Sequence, residues 1–520
     1  MKTLWFTLSI LLVAVSSCDK NLLDQDINPN ALTPDTFWQD EQDAIKGIIG
    51  AYSPFTDIWY YSRGEIFVSD YRDDVVNPNG TSARTNPGRF AGTSEQNFVN
   101  RIWRVAWFGI SRSNEVIFNV PTIEDPEFSD ELRNNIMGEA YFLRAYNYFV
   151  LLNNWLNVPL ITVPVEQLED ITGVEQADPN VVRDQIIADL MQAKSLLPTS
   201  WDAVNLGRAT SGAATAMLGK VYLYNQQWDL ASAAFQEVMS SGTYSLAADY
   251  GDNFSTLTEN NSESIFEIQF LNDDMQAWGG DQAGISRDNN FTPDIAPAPE
   301  FSGQDGMTIN QWALDLFLDE RTINNEIDPR AFSTLFFNTA ETTTYEGEVL
   351  ASTIYEGQTY QEVYPAGNTT VYGKKYLAAD EGGVTTANFH NSGNNLRIIR
   401  YADVLLMFAE AEIMDNNGTA NQAAVDAINE VRARVDMPPF DLSMTMEDIR
   451  DERVKELTLE RSRYFDLLRW GMVKERIVDV PGIKSGSGGV GAYQPGREYL
   501  DIPQNELNLN QNFSHNPGYQ

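Results

Sequence analysis

The 520-residue chain carries 35 basic and 74 acidic residues and only two histidines, a formal charge of −39. Such a surface repels phosphate backbones, which excludes a nucleic-acid-binding role, and two histidines are too few for a histidine-rich metal or proton-transfer site. Yet 42% hydrophobic and 11% aromatic residues separate it from a disordered acidic tail, so the chain can bury a large core and carry its charge on a solvated surface.

At the N-terminus, Lys2 followed by the apolar run from Leu4 to Val15 reads as the n-region and h-region of an export signal, too short to span a bilayer. Cys18 is the one cysteine of the chain, so it cannot form an internal disulfide. The stretch Val15-Ser16-Ser17-Cys18 resembles the lipobox of bacterial lipoproteins. Residues 1–17 are then a signal peptide, and Cys18 is the lipidated mature N-terminus. Its thiolate is the nucleophile that accepts a diacylglyceryl group, and each buried methylene contributes roughly 0.8 kcal/mol of anchoring. The alternative is an unpaired thiol beside an ordinary secretory cleavage site. Asp19, Asn21, Asp24 and Asp26 read as a polar tether, and the chain is expected to be anchored to a membrane rather than embedded in it.

Residues 18–250 are expected to hold this tether and a helical frame. In IWYYSRGEIFVSDYRDD, a helix would point Trp59, Tyr60 and Tyr61 to three sides. Trp59 would align with Phe55 and Ile66 toward the core, and Tyr60 or Tyr61 would be free to meet a ligand. Tyr71 and Arg72 would place a ring and a five-donor guanidinium together near the end of that element; the plain alternative is an ordinary surface pair. From Ser94 to Leu246 the spacing of apolar residues is helical. Asp178-Pro179 reads as a helix N-cap and first-turn proline. Leu218-Gly219, Tyr222, Ala231 and Phe235 match the spacing of a tetratricopeptide repeat, with small residues at Gly219 and Ala231 allowing two helices to approach. A second pair is expected over 401–412 and 423–434. The fold class is therefore mostly α, a tetratricopeptide-like repeat frame.

A loop-rich insertion, residues 251–397, interrupts that frame. It is rich in Asn, Gly, Asp and Thr, and long loops without a core of their own usually serve a function. Trp278, in DDMQAWGGDQ, is the first candidate ligand platform; the alternative is a ring tucked under its own loop. Trp312 stands behind Thr308 and Gln311 in a capping-box arrangement and shares a helical face with Leu316, which favours core packing over ligand contact. Residues 398–475 return to repeat helices, and 476–520 form an irregular C-terminal segment. Glu452, Arg453, Glu456, Glu460, Arg461, Arg463 and Asp466 read as ion pairs at i,i+3 and i,i+4 on one helix.

Several separated stretches resemble the SusD/RagB-like outer-membrane lipoproteins of Bacteroidetes: RAYNYFVLLNNWLNVPLITVP, RYADVLLMFAEAE, INEVRARVDMP, IRDERVKELTLERSRYFDLLRWG and IPQNELNLNQNFSHNPGY. The sequence departs from the family pattern at Leu156-Asn157, where Gly-Asp is usual, at Arg461, where Gly is usual, and at His515, where Gln is common. The resemblance implies a surface binder at the outer membrane, facing the cell exterior. Such a protein captures oligosaccharides or polysaccharides and delivers them to a SusC-like TonB-dependent transporter, with no cofactor and no catalysis.

The residues themselves carry no G-x-S-x-G, P-loop or H-E-x-x-H motif. A glycoside hydrolase using a carboxylate pair stays open as the alternative, because such pairs are recognised by separation in space. For a binder, aromatic faces pack on the C–H faces of sugar rings while polar groups bond the hydroxyls. The acidic surface favours neutral glycans over polyanions, and a flat gluco-configured chain, a β-glucan, suits such a platform.

Overall fold

A computed structural model describes residues 34–520 except 166, 168, 272–287, 298–306, 355–356, 378–391 and 485–488. Cys18, Trp278 and His390 lie outside the described residues. Capping chemistry sets the helix starts at Glu41, Asp130, Pro179 and Ser211. Helix α1 (Glu41–Tyr52) is capped by Asp40, whose side chain accepts from the Asp43 N–H. Helix α2 (Asn97–Asn119) is followed by α3 (Asp130–Trp155), capped by Ser129. In α4 (Pro179–Leu196) the Asp178 carboxylate accepts from the Asn180 N–H and proline takes the first turn, as its sequence indicates. Helices α5 (Ser211–Tyr224) and α6 (Trp228–Ser240) complete the run. Each of these six helices packs on the next. In the repeat-like pair, a Cβ on Gly219 would come within 2.6 Å of the Phe235 ring. Glycine there sets the separation of α5 and α6.

The insertion contributes short pieces that are tied back to the frame. Strands β1 (Val76–Asn77), β3 (Thr308–Ile309), β4 (Leu335–Phe336) and β5 (Val371–Gly373) form an antiparallel sheet in the order β1-β3-β5-β4. Strand β2 (Ser264–Ile268) pairs with β6 (Leu396–Arg400), Leu396 opposite Ile268 and Arg400 opposite Ser264, so the two ends of the insertion are joined. Buried Phe332, Phe336, Tyr360 and Tyr364 belong to the same hydrophobic core as the frame helices. The expectation of a segment with little packing of its own is corrected accordingly: turn residues mark its chain reversals, but its rings are core. Helix α7 (Gln311–Asp319) starts after Asn310, with Thr308 in β3, so the expected capping box does not form. Beyond the insertion, α8 (Tyr401–Asp415) packs on α6 and on α9 (Gln422–Arg434), and α10 (Met446–Leu457) packs on α8. The frame is thereby continuous in space although interrupted in sequence.

The late charged segment differs from its expected form. Helix α10 stops at Leu457, Leu459 and Arg461 take φ of 66° and 63°, and a separate short helix α11 (Arg463–Arg469) follows. Most of its charges therefore pair across the fold rather than along one helix. Arg330 Nη1 reaches Glu452 at 2.6 Å and Glu456 at 2.9 Å, and Arg400 Nη1 reaches Glu456 and Glu263 at 2.6 Å each. Arg434 also grips Glu456. Burial alone would raise the Glu456 carboxyl, but Arg434, Arg400 and Arg330 outweigh it and hold it well below the usual carboxylate range. Asp403 on α8 is likewise buried, yet Lys220 at 3.3 Å and Arg453 at 2.9 Å hold its carboxyl at about 2.

These shifts fix the sign of an acid response. A carboxyl held at about 2 in the fold against an ordinary 3.8 contributes stability that is fully present above about pH 4 and is lost as pH falls toward 2. Asp403 alone is expected to contribute about 2 kcal/mol there, with Glu456 adding to it. Equilibrium urea unfolding between pH 6 and about pH 2.5 checks this; a midpoint that stays level below pH 4 contradicts it.

Candidate functional site

The segment Asp57–Asp74 is not one helix. It is a series of turns with 3₁₀ pieces at Gly64–Phe67 and Asp70–Arg72, so helical spacing does not govern which side chains face out. Tyr60 is fully buried, stacked near Phe55, and its hydroxyl donates to Asn147 Oδ1 at 3.0 Å. Tyr71 is fully buried against Phe67. Arg72 is also fully buried, donating to the Tyr464 hydroxyl at 2.7 Å with its guanidinium 4.0 Å from that ring. Burial withdraws Tyr60, Tyr71 and Arg72 from a surface platform; they hold the fold. Trp59 is half-buried and packs against the core as expected, beside Phe98 at 5.0 Å, with Arg101 covering its ring at 4.2 Å. Trp312 is half-buried, its indole N–H donating to the Asp74 carbonyl at 2.9 Å, in line with packing rather than ligand contact.

The structure presents a groove that those readings did not reach. Arg104, Trp107, Phe108 and Ser111 on α2 stand at i, i+3, i+4 and i+7, one stripe that forms the floor of a cleft of about 320 Å³. Ile161, Val165, Ile171 and Val174, on the connection after α3, form one wall, and Glu506, Leu509 and Phe513 of the C-terminal segment form the other. Leu509 is 60% exposed.

Polar bonds fix the walls in place and join them to each other. The Asn114 amide donates to the carbonyls of Ile161 and Val163 at 3.1 Å each, and Arg144 Nη1 fixes its Oδ1 at 2.9 Å while clamping Asp189 of α4. The Tyr148 hydroxyl both donates to and accepts from the backbone of Ile161, at 2.8 and 2.7 Å. From the C-terminal segment, the Asn510 amide crosses to the carbonyls of Ile171 and Val174 at 3.1 and 2.6 Å, tying the two walls together at one end. A loop wall needs such partners, because its own backbone groups have no ladder to satisfy them.

Inside, the cleft is mostly apolar with few polar groups. Trp107 meets Tyr148 edge-on at 5.7 Å, and its indole N–H is buried without a hydrogen-bond partner among the described residues. Burial raises the Glu506 carboxyl, opposed by a hydrogen bond from Trp103. Ring faces with a few polar groups and a volume in the 300–1,000 Å³ class suit a small-ligand cleft. A second cleft of about 290 Å³ contains Trp201, but Arg208 covers that ring at 4.1 Å. The sequence signal for the groove was available: α2 carries aromatic residues on more faces than one buried stripe requires.

Residues 262–519 match the model of the SusD family, and residues 26–223 match a model described as starch-binding associating with outer membrane. A SusD-like protein of Formosa agariphila is 27% identical over 497 residues, 90% of each chain. The crystal structure of a SusD superfamily protein from Bacteroides vulgatus superposes with a TM-score of 0.78 at 25% identity, covering 93% of this chain and all of that one. A structure named as a laminarin-binding SusD-like protein superposes with a TM-score of 0.70 at 26% identity, covering 92% of this chain and all of that one.

The wall geometry is testable independently of ligand. Asn510→Ala leaves two carbonyls without their amide donor and is expected to cost about 1–3 kcal/mol, with faster amide exchange confined to the wall around residues 171–174. Exchange unchanged there would show that Asn510 does not hold the wall.

Proposed function

Because this chain belongs to the SusD/RagB-like family, we propose that it is a cell-surface glycan-binding lipoprotein that captures oligosaccharides or polysaccharides for a SusC-like TonB-dependent transporter of the outer membrane. The observation that carries the reading is the ring-floored cleft of Trp107 and Phe108 facing Phe513. A sugar ring laid on an indole buries its C–H face, and groups at the rim meet its hydroxyls. Among the described residues lining the cleft, Glu506 is one acid, whereas hydrolysis of a glycosidic bond needs two flanking carboxyls; this favours capture over cleavage. The relative named as laminarin-binding and the formal charge of −39 both support a neutral glycan, with a β-glucan first. Cys18 supplies the lipid anchor on the same reading, and Trp278 remains a second platform.

Calorimetry against neutral and acidic polysaccharides tests this. Laminarin or another neutral glucan is expected to bind, and Trp107→Ala to weaken it at least tenfold, about 1.4 kcal/mol. Loss in Trp278→Ala with Trp107→Ala unaffected would move the site to the insertion; tight binding of acidic glycans alone would overturn the charge argument.

The transporter has its own check. Affinity purification from membranes in mild detergent is expected to recover a large β-barrel protein with this chain, and repeated recovery of the chain alone contradicts the partnership.

A further inference from the structure

Another cavity, of about 70 Å³, lies within the frame, lined by Tyr61, Glu65, Tyr146, Glu460 and Arg461 among others. A volume of that size suits a few water molecules or a small ion better than a sugar ring. The cations lining it differ in how they are satisfied. Lys220 meets Asp403 at 3.3 Å, Arg397 meets Glu267 at 3.1 Å, and Arg400 meets Glu263 and Glu456 at 2.6 Å each.

Arg461 is the exception. It is 7% exposed, its guanidinium lies 4.2 Å from the Phe291 ring, and its Nη1 and Nη2 have no hydrogen-bond partner among the described residues. Only Nε approaches a carboxylate, Glu65 Oε2 at 3.0 Å. Glu65 also accepts from the Ser69 hydroxyl at 2.9 Å, and the nearby Asp70 accepts from the Arg461 backbone N–H at 3.1 Å. Leaving two charged donors buried and unbonded is costly. The residue is also held at φ 63°, in the left-handed region where a non-glycine side chain is strained. A fold that spends strain to put an unsatisfied guanidinium beside a small cavity points to something that completes its bonding.

We propose that this cavity binds a small monovalent anion of halide size at the Nη groups of Arg461, reached by a small rotation of that side chain. A water molecule can accept from these donors but cannot balance their charge. Burial pushes the Glu65 carboxyl up to about 8 despite the pull of Arg461, so near neutral pH the group beside Nε is mostly protonated; Asp70, raised by burial to about 6 against the pull of Arg461, meets the Arg461 backbone N–H, and the Nη groups have no carboxylate in contact among the described residues. Glu460 does not supply one, because Arg400 at 2.7 Å and Lys375 at 2.8 Å already hold it.

Bromide is the probe. Crystals of the full chain grown in sodium bromide are expected to show an anomalous peak beside Arg461. The melting temperature is expected to be higher in sodium bromide than in sodium methanesulfonate at equal ionic strength, rising with concentration as for a bound ligand. Arg461→Gly, which adopts φ 63° without strain, should fold and lose both the peak and the salt-specific shift. Glu65→Gln, which keeps the partner neutral, should retain them. An absent peak in the native chain, or a peak or shift that persists in Arg461→Gly, overturns the proposal.

Discussion

The fold depends on the burial of Glu456. Its carboxylate sits in the interior with Arg330, Arg400 and Arg434 around it. Those three arginines come from the insertion, from the strand that closes it and from the second helix of the returning repeat. Taking these ions out of water gains little net stability even when they pair, but removing one partner leaves an uncompensated buried charge and costs about 3–5 kcal/mol. The network therefore acts mainly by excluding other arrangements. The insertion, strand β6 and helices α9 and α10 can meet in few ways that satisfy every charge.

That constraint explains how a repeat frame tolerates an interruption of well over one hundred residues. Strands β2 and β6 join the ends of the insertion, α6 packs directly on α8, and the charge network locks the joint from beneath. Loop-closure entropy grows only slowly with loop length, so a long insertion costs little more than a short one once its ends are fixed.

The two departures from the family pattern at glycine positions fall where the backbone is left-handed. Leu156 takes φ 61° as the chain leaves α3 toward the groove wall, and Arg461 takes φ 63° beside the internal cavity. Glycine occupies such positions without strain, so a larger residue there must be held by its surroundings. For Leu156 the surroundings include its N–H bond to the Leu152 carbonyl, which closes α3. For Arg461 they are the ring of Phe291 and the carboxyl of Glu65.

The sequence by itself determined the helical frame, the Asp178 cap of α4 and the close approach at Gly219. Periodicity and capping act within a few residues, and such local signals survive without knowledge of the rest of the chain. It could not determine which aromatic side chains reach the surface. Tyr60, Tyr71 and Arg72 stand in a run of turns, where no fixed period relates position to direction, and their burial follows from Asn147, Phe67 and Tyr464, two of which are distant in the chain. The walls of the groove were hidden for the same reason, although the surplus rings of α2 marked its floor. Its floor lies on α2, but its walls exist only because Asn114, Tyr148 and Asn510 hold the connection after α3 and the C-terminal segment together beside Trp107. Tertiary structure alone decided that, because a cleft is defined by the separation of surfaces that sequence spacing does not measure.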